Sequence, residues 1–295
     1  MAGDEDVLVL GAASWNRMVY VDELPQGVSA TITNARQVEN VGSTGVGKSM
    51  VLAALGCRPT LHCTLGNDQH ARSIATACDA CGITMLIDTH DDPTPHHLNI
   101  MDRSGGRYSL FISNGASDPA IDEARLAARI LAAGTIFLSL SMSSRKILHL
   151  LEGSTAEVLL DLHDYDGVNP WYDDFIACAD VIQLSDVALD DPGPVVSRLL
   201  SGRAHQVVLT KAEKGAEIFS RSKHVLVSAC PAQIVDSNGA GDAFSVGLWY
   251  AQRAGLGLEL AGRFAAAAAA FAIGDTTLFP AGVSLEDIKQ RASLD

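Results

Sequence analysis

From residue 61 to residue 210 the chain alternates short apolar runs with longer amphipathic segments, and this rhythm constrains the fold more than any other feature. Residues 61–65, 83–87, 135–138, 157–161, 180–183 and 206–210 read as strands, and 69–81, 119–133, 144–151, 171–178 and 194–200 as helices. An earlier run, Val7-Leu8-Val9-Leu10, is apolar throughout and stops at Gly11, the pattern of a strand buried on both faces. Alternation of this kind predicts an α/β fold, a doubly wound and mainly parallel sheet flanked by helices. Ligands of such folds bind at the carboxyl ends of the strands, so Gly11, Asp161, Thr210 and a loop at Gly239 are expected on one edge. Two stretches, about 16–41 and 95–113, are more polar and alternate with period two, including Thr31-Ile32-Thr33 and the runs either side of Ser104-Gly105-Gly106. They predict a small β lid with one solvated face. No linker or repeat divides the chain, so residues 1–295 are expected to form one domain, with the alanine-rich run at 265–270 as a tightly packed helix.

Composition narrows the function. A formal net charge of -14 speaks against nucleic acid or an anionic membrane as partner, since both need a basic surface. The longest apolar run, 264–273, is too short to span a bilayer. Six cysteines without a framework spacing, and an acidic start where a signal peptide would be basic, point to a cytoplasmic protein. Cys78 and Cys81 form a C-x-x-C inside a helical segment with no second pair, and read as small packed side chains.

The stretch Val235-Asp236-Ser237-Asn238-Gly239-Ala240-Gly241-Asp242-Ala243-Phe244 carries chemistry. Gly239 and Gly241 bracket the start of an apolar helical face, leaving backbone N–H groups unpaired at the positive end of a helix dipole, where an anion such as phosphate binds. Asp242 follows in the first turn, either placed to take a proton from a hydroxyl attacking phosphorus or as an ordinary first-turn carboxylate that the dipole favours. A second motif, Gly42-Ser43-Thr44-Gly45-Val46-Gly47-Lys48-Ser49, fits G-x-x-x-x-G-K-[ST] and precedes a helical run at 50–55. It follows a polar stretch rather than a buried strand, and no Walker B strand follows, so the phosphate-loop reading lacks its context.

These motifs resemble those of the ribokinase-like, or PfkB, carbohydrate kinases over nearly the whole chain. Residues 236–244 look like that family's D-[TS]-x-G-A-G-D-x-F signature, and 42–56 like its N-terminal signature, a glycine-rich turn running into a helix that ends in Leu-Gly. Gly66-Asn67-Asp68 resembles its G-x-D, and the segment from Thr210 to Ala216 its T-x-G-x-x-G beside the nucleotide. The resemblance implies ATP-dependent phosphorylation of a hydroxymethyl group on a sugar, sugar derivative or nucleoside, with Mg²⁺ accompanying ATP. It implies Asp242 as catalytic base, Gly239, Ala240 and Gly241 as the anion hole, and Asn16, Gly42, Gly45, Gly47, Lys48 and His97 on the substrate side. Ser185, Thr210, Lys211, Ala212, Gly215 and Asn238 fall on the nucleotide side, and Asp236 with Asp275 at a site for a monovalent cation such as K⁺. An unpaired lid edge offers a homodimer surface.

The departures are specific. Asn16 stands where the family carries an Asp that grips substrate hydroxyls, Gly47 stands for an Asn, and Ser185 and Ala188 replace both ends of N-x-x-E, with Asp186 nearby. Lys211 and Ala212 narrow the base pocket, while Lys48 is placed to meet an anionic group on the acceptor or to face solvent. They leave the acceptor open and support an alternative, a kinase-descended binding protein with little turnover.

Overall fold

The computed structural model describes residues 5–294 apart from 26, 28, 30, 104 and 105. Strand β1 (Val7–Leu10) is wholly buried, because it lies mid-sheet with helices on both faces. Its register places Val9 between Leu61 of β4 (Thr60–Gly66) and Phe137 of β8 (Thr135–Ser139), both parallel to it. Strand β5 (Thr84–His90) closes one edge beyond β4, and β9 (Glu157–Asp161), β10 (Val181–Ser185) and β11 (Gln206–Thr210) extend the sheet on the other side, all parallel. A hairpin of β12 (Ala216–Ser220) and β13 (His224–Val227), antiparallel to β11, completes nine strands among the described residues.

Successive β1 side chains serve two cores, as a period of two requires. Val7 and Val9 join the core under α1 (Thr44–Ala54), α2 (Gln69–Ala80), α7 (Ala240–Arg253), α8 (Leu258–Ala272) and α9 (Leu285–Arg291). Leu8 and Leu10 join the core under α3 (Glu123–Ala132), α4 (Met142–Lys146), α5 (Asp173–Cys178) and α6 (Pro192–Ser201). The expected doubly wound sheet is therefore present. Small side chains bring α7 against α8: a Cβ on Gly247 would stand 3.1 Å from Ala265 Cα and from Ala268 Cβ, which is why alanines fill that face.

Four further strands, β2 (Ser14–Tyr20), β3 (Arg36–Gly42), β6 (His96–Met101) and β7 (Arg107–Ser113), form a second sheet in the order β3-β2-β6-β7. One face, with Asn16, Met18, His97, Asn99 and Phe111, lines a cleft of about 680 Å³. The opposite face exposes Tyr108 and Leu110.

Several boundaries differ from the sequence expectation. Helix α1 starts at Thr44, not at residue 50, because the glycines of the octet pack closely: a Cβ on Gly45 would stand 2.5 Å from Ala12 O. The helices expected at 144–151 and 171–178 each divide into an α segment and a 3₁₀ turn, the latter entered through Pro170. Thr31-Ile32-Thr33 is exposed and forms no strand. The turn at residues 104 and 105, and residue 30 at the start of an expected lid segment, lie outside the described residues; Asp102 N donates to Gly106 O across the hairpin.

Candidate active site

The cleft opens where the carboxyl ends of the sheet meet the start of α7. Gly239 holds the turn before that helix with φ 82°, a left-handed backbone that favours glycine. A side chain there would also overlap Leu278 O and bring its Cβ within 3.2 Å of Leu278 C. Among the described residues the N–H groups of Gly239, Ala240 and Gly241 have no hydrogen-bond acceptor, as the first turn of a helix dictates. Gln183 Nε2 donates to Gly241 O at 2.9 Å and so pins this turn to β10. Asp236 is buried, and its Oδ1 accepts from Asn238 N at 2.9 Å, shaping the loop that leads in.

Asp242 is 7% exposed and its two oxygens differ. Oδ1 accepts from Lys48 Nζ at 2.5 Å and from Thr44 Oγ1. Oδ2 has no hydrogen-bond partner among the described residues and rests against Gly47, which has no side chain to displace it. Lys48 is 1% exposed; its ammonium also donates to Thr44 Oγ1 at 2.6 Å and to Asp161 Oδ2 at 3.3 Å. Burial pushes the Lys48 ammonium down, but the charges of Asp242 and Asp161 outweigh it and hold it above its ordinary value. Burial pushes Asp161 up, yet His163, Lys48 and the His163 N–H hold it below the usual carboxylate range. A carboxylate oxygen open to a cleft, beside three unpaired N–H groups at a helix start, can accept a proton from a hydroxyl while those groups hold an anion.

Other expected residues separate into distinct groups. Asn16, His97, Asp236, Asn238, Gly239, Gly241 and Asp242 line the cleft. Asn16 Oδ1 accepts from Ser14 Oγ at 2.8 Å, and its amide packs on Gly42, where a Cβ would come within 2.7 Å of Oδ1. His97 packs against Phe111 at 4.1 Å between ring centroids, and burial, aided by His96, holds its imidazole below its ordinary value. Gly42, Gly45 and Gly47 allow close approach rather than lining the cleft. Lys48, expected to face an acceptor or solvent, does neither; its position one helical turn after Thr44 turns it inward to two carboxylates.

On the far side, Ser185 pairs with Thr210 across β10 and β11. Lys211 bonds Glu217, Ala212 has φ 47° and Gly215 φ 91°, so these residues build the tight turn into β12. Asp275 Oδ1 accepts from Thr277 N at 2.8 Å and Thr277 Oγ1 at 2.9 Å, which engages one of its two carboxylate oxygens. Val235 N donates to Ile273 O at 2.7 Å, bringing the Asp236 loop beside it. Among the described residues no group of three or more His, Cys, Asp or Glu side chains is arranged to hold a metal. Thr44, Gln183, Phe111 and Arg107, which bonds Asn238 from β7, were not legible as site residues. The spacing of Thr44 and Lys48, four apart on a helix, is the one signal that could have found Thr44.

Residues 4–278 match the pfkB family carbohydrate kinase description. The chain belongs to the pfkB family of carbohydrate kinases. Within this family it is 30% identical over 279 residues to the acarbose 7(IV)-phosphotransferase of an Actinoplanes species, covering 92% of this chain and 93% of that one. It is 25% identical over 294 residues to a nucleoside kinase of Methanothermobacter thermautotrophicus, covering 93% and 91%. Its fold superposes on a microbiome-derived acarbose kinase with a TM-score of 0.86 at 28% identity, covering 98% and 99%. The fold also matches an Arabidopsis thaliana ribokinase complexed with ribose and ATP, TM-score 0.81 at 21% identity, over 99% of both chains. Among the described residues no helix is long and apolar enough to cross a membrane. In this pfkB-family kinase the octet that fits a phosphate loop runs from the last residue of β3 into the first turns of α1, with Lys48 buried against two carboxylates, so that reading is set aside.

Proposed function

We propose that this kinase uses ATP to phosphorylate a hydroxymethyl group of a sugar, sugar derivative or nucleoside in the cytoplasm, with Asp242 as the base. The observation that carries this is the open Asp242 Oδ2 beside the unpaired N–H groups of Gly239, Ala240 and Gly241. The acceptor hydroxyl passes its proton to Oδ2 as its oxygen bonds to the γ-phosphorus; the bond to the ADP oxygen breaks, and the three N–H groups stabilise the charge on the transferring group. Asn16, His97 and Phe111 hold the acceptor under the small sheet, which acts as the lid. Asn238, Ser185, Thr210, Lys211, Ala212 and Gly215 form the nucleotide side.

Mg²⁺ bound with ATP would neutralise phosphate charge, and the carboxylates on the cleft wall suit it alongside phosphate oxygens and water, because among the described residues no group of three or more His, Cys, Asp or Glu forms a protein cage. K⁺ would be held by Asp236 and Asp275, each of which has one oxygen, Oδ1, engaged by a neighbouring residue. The exposed Tyr108 and Leu110 face supports a homodimer through the lid; Leu110→Glu is expected to convert a dimer to monomer in light scattering, and an unchanged mass would remove that surface. A panel of ribose, inosine, acarbose and related acceptors, read by ADP release and product mass, tests the reaction. Absence of turnover on every acceptor would overturn it.

A further inference from the structure

Among the described residues Lys48 is the one buried cation of the site that the proton transfer just described does not use. Its three N–H bonds each have an acceptor, in Thr44, Asp242 and Asp161. Thr44 and Lys48 lie four residues apart on α1, so both reach the same oxygen of Asp242 from one helix face. Asp161 is held in turn by His163 N at 3.0 Å on one oxygen and by Gln183 Nε2 at 3.4 Å on the other, and the same Gln183 amide holds the first turn of α7.

We infer that Lys48 is a positioning residue for the base: its ammonium fixes Asp242 Oδ1 so that Oδ2 meets the acceptor hydroxyl, and Asp161 keeps the ammonium paired after Asp242 is protonated. This rests on the reading of Asp242 as base. The charges explain why two carboxylates are present. At rest one cation faces two anions; once the acceptor proton reaches Oδ2, Asp242 is neutral and Lys48 would be a buried unpaired charge, a strongly unfavourable state, were Asp161 absent. Gly47 completes the arrangement, since any side chain there would press on Oδ2.

Lys48→Met, Asp161→Asn, Asp242→Asn and the parent are compared by ADP release at varied acceptor, with ATP-Mg²⁺ affinity by calorimetry and a melting curve for each. Lys48→Met is expected to lose about 10²-fold in kcat, the scale of a misplaced reacting group. Its acceptor KM should stay within about threefold, because the interaction lost acts in the transition state. Its ATP affinity should be unchanged, and ethylammonium should restore part of kcat to Lys48→Ala. Should Lys48→Met not fold, Asp161→Asn carries the test, with the same expected split. A folded Lys48→Met or Asp161→Asn with parental kcat overturns the inference, as does a kcat loss matched by an equal rise in KM. If Asp242→Asn is inactive and Lys48→Met is parental, only the role of Lys48 falls. If Asp242→Asn matches the parent, the base assignment falls with it.

Discussion

Gly47→Ala separates fold from chemistry more sharply than any other single methyl group in this protein. Gly47 lies inside α1, where alanine is favoured over glycine by about 0.5–1 kcal/mol, so the helix itself gains from the change. The new Cβ, however, would overlap Asp242 Oδ2 and stand 3.1 Å from Asp242 Cγ. The carboxylate is held from the other side by Lys48 and Thr44, so it cannot swing freely. Relief pushes the reacting oxygen back by about 1 Å, and a misplacement of that size costs about 10²-fold in rate. That corresponds to about 2.7 kcal/mol of transition-state stabilisation. Initial rates of ADP release at saturating acceptor give kcat, and urea midpoints give stability. The expected pair is a kcat about 10²-fold lower with a midpoint equal to the parent's or slightly above it. Parental kcat in Gly47→Ala would refute the placement of Oδ2 against residue 47.

Gly239→Ala puts a side chain on a left-handed backbone and into Leu278 O, so it should lose about 1–3 kcal/mol in urea unfolding and most of its turnover together. His62 contributes, with His96 and His97, to the pH dependence of stability: burial pushes its imidazole below its ordinary 6.5 although Asp88, 2.9 Å away, pulls it up. The unfolded chain therefore binds the proton more readily; stability is complete above 6.5 and falls as pH drops below it toward the folded value. Thermal midpoints should decline on acidification from about pH 8 to about pH 5.5, and His62→Gln should lessen that slope; an unchanged slope would remove His62 as a contributor.

Much of the large sheet could be read before any coordinates, because strands buried on both faces have an apolar signature that survives in a single sequence. Val7–Leu10 shows this, with all four side chains buried. The start of α1 could not be read in the same way. Gly42, Gly45 and Gly47 together have the look of a loop, and only the close crossing over Ala12 and Asp242 explains the last two inside a helix. The placement of Gly239 and Asp242 at the start of α7 was legible because a helix start bracketed by two glycines is written in residues that follow directly in sequence. The partners of Asp242 were not, since Lys48 and Thr44 lie 194 and 198 positions away and meet it only through the fold. Lys48 is the clearest case: a lysine in a polar, glycine-rich stretch reads as solvent-facing, and only two carboxylates converging at the sheet edge account for its burial. The β12–β13 hairpin was missed because its short strands, with exposed positions such as Leu226, carry a weak alternating pattern.

The central claim is that Asp242 takes the acceptor proton. ADP release by Asp242→Asn, measured beside the parent on its best acceptor and with both proteins shown to melt alike, tests it most directly. The account predicts a kcat lower by about 10²–10⁴-fold, the range for removing a general base. A variant that turns over at the parental rate would contradict it.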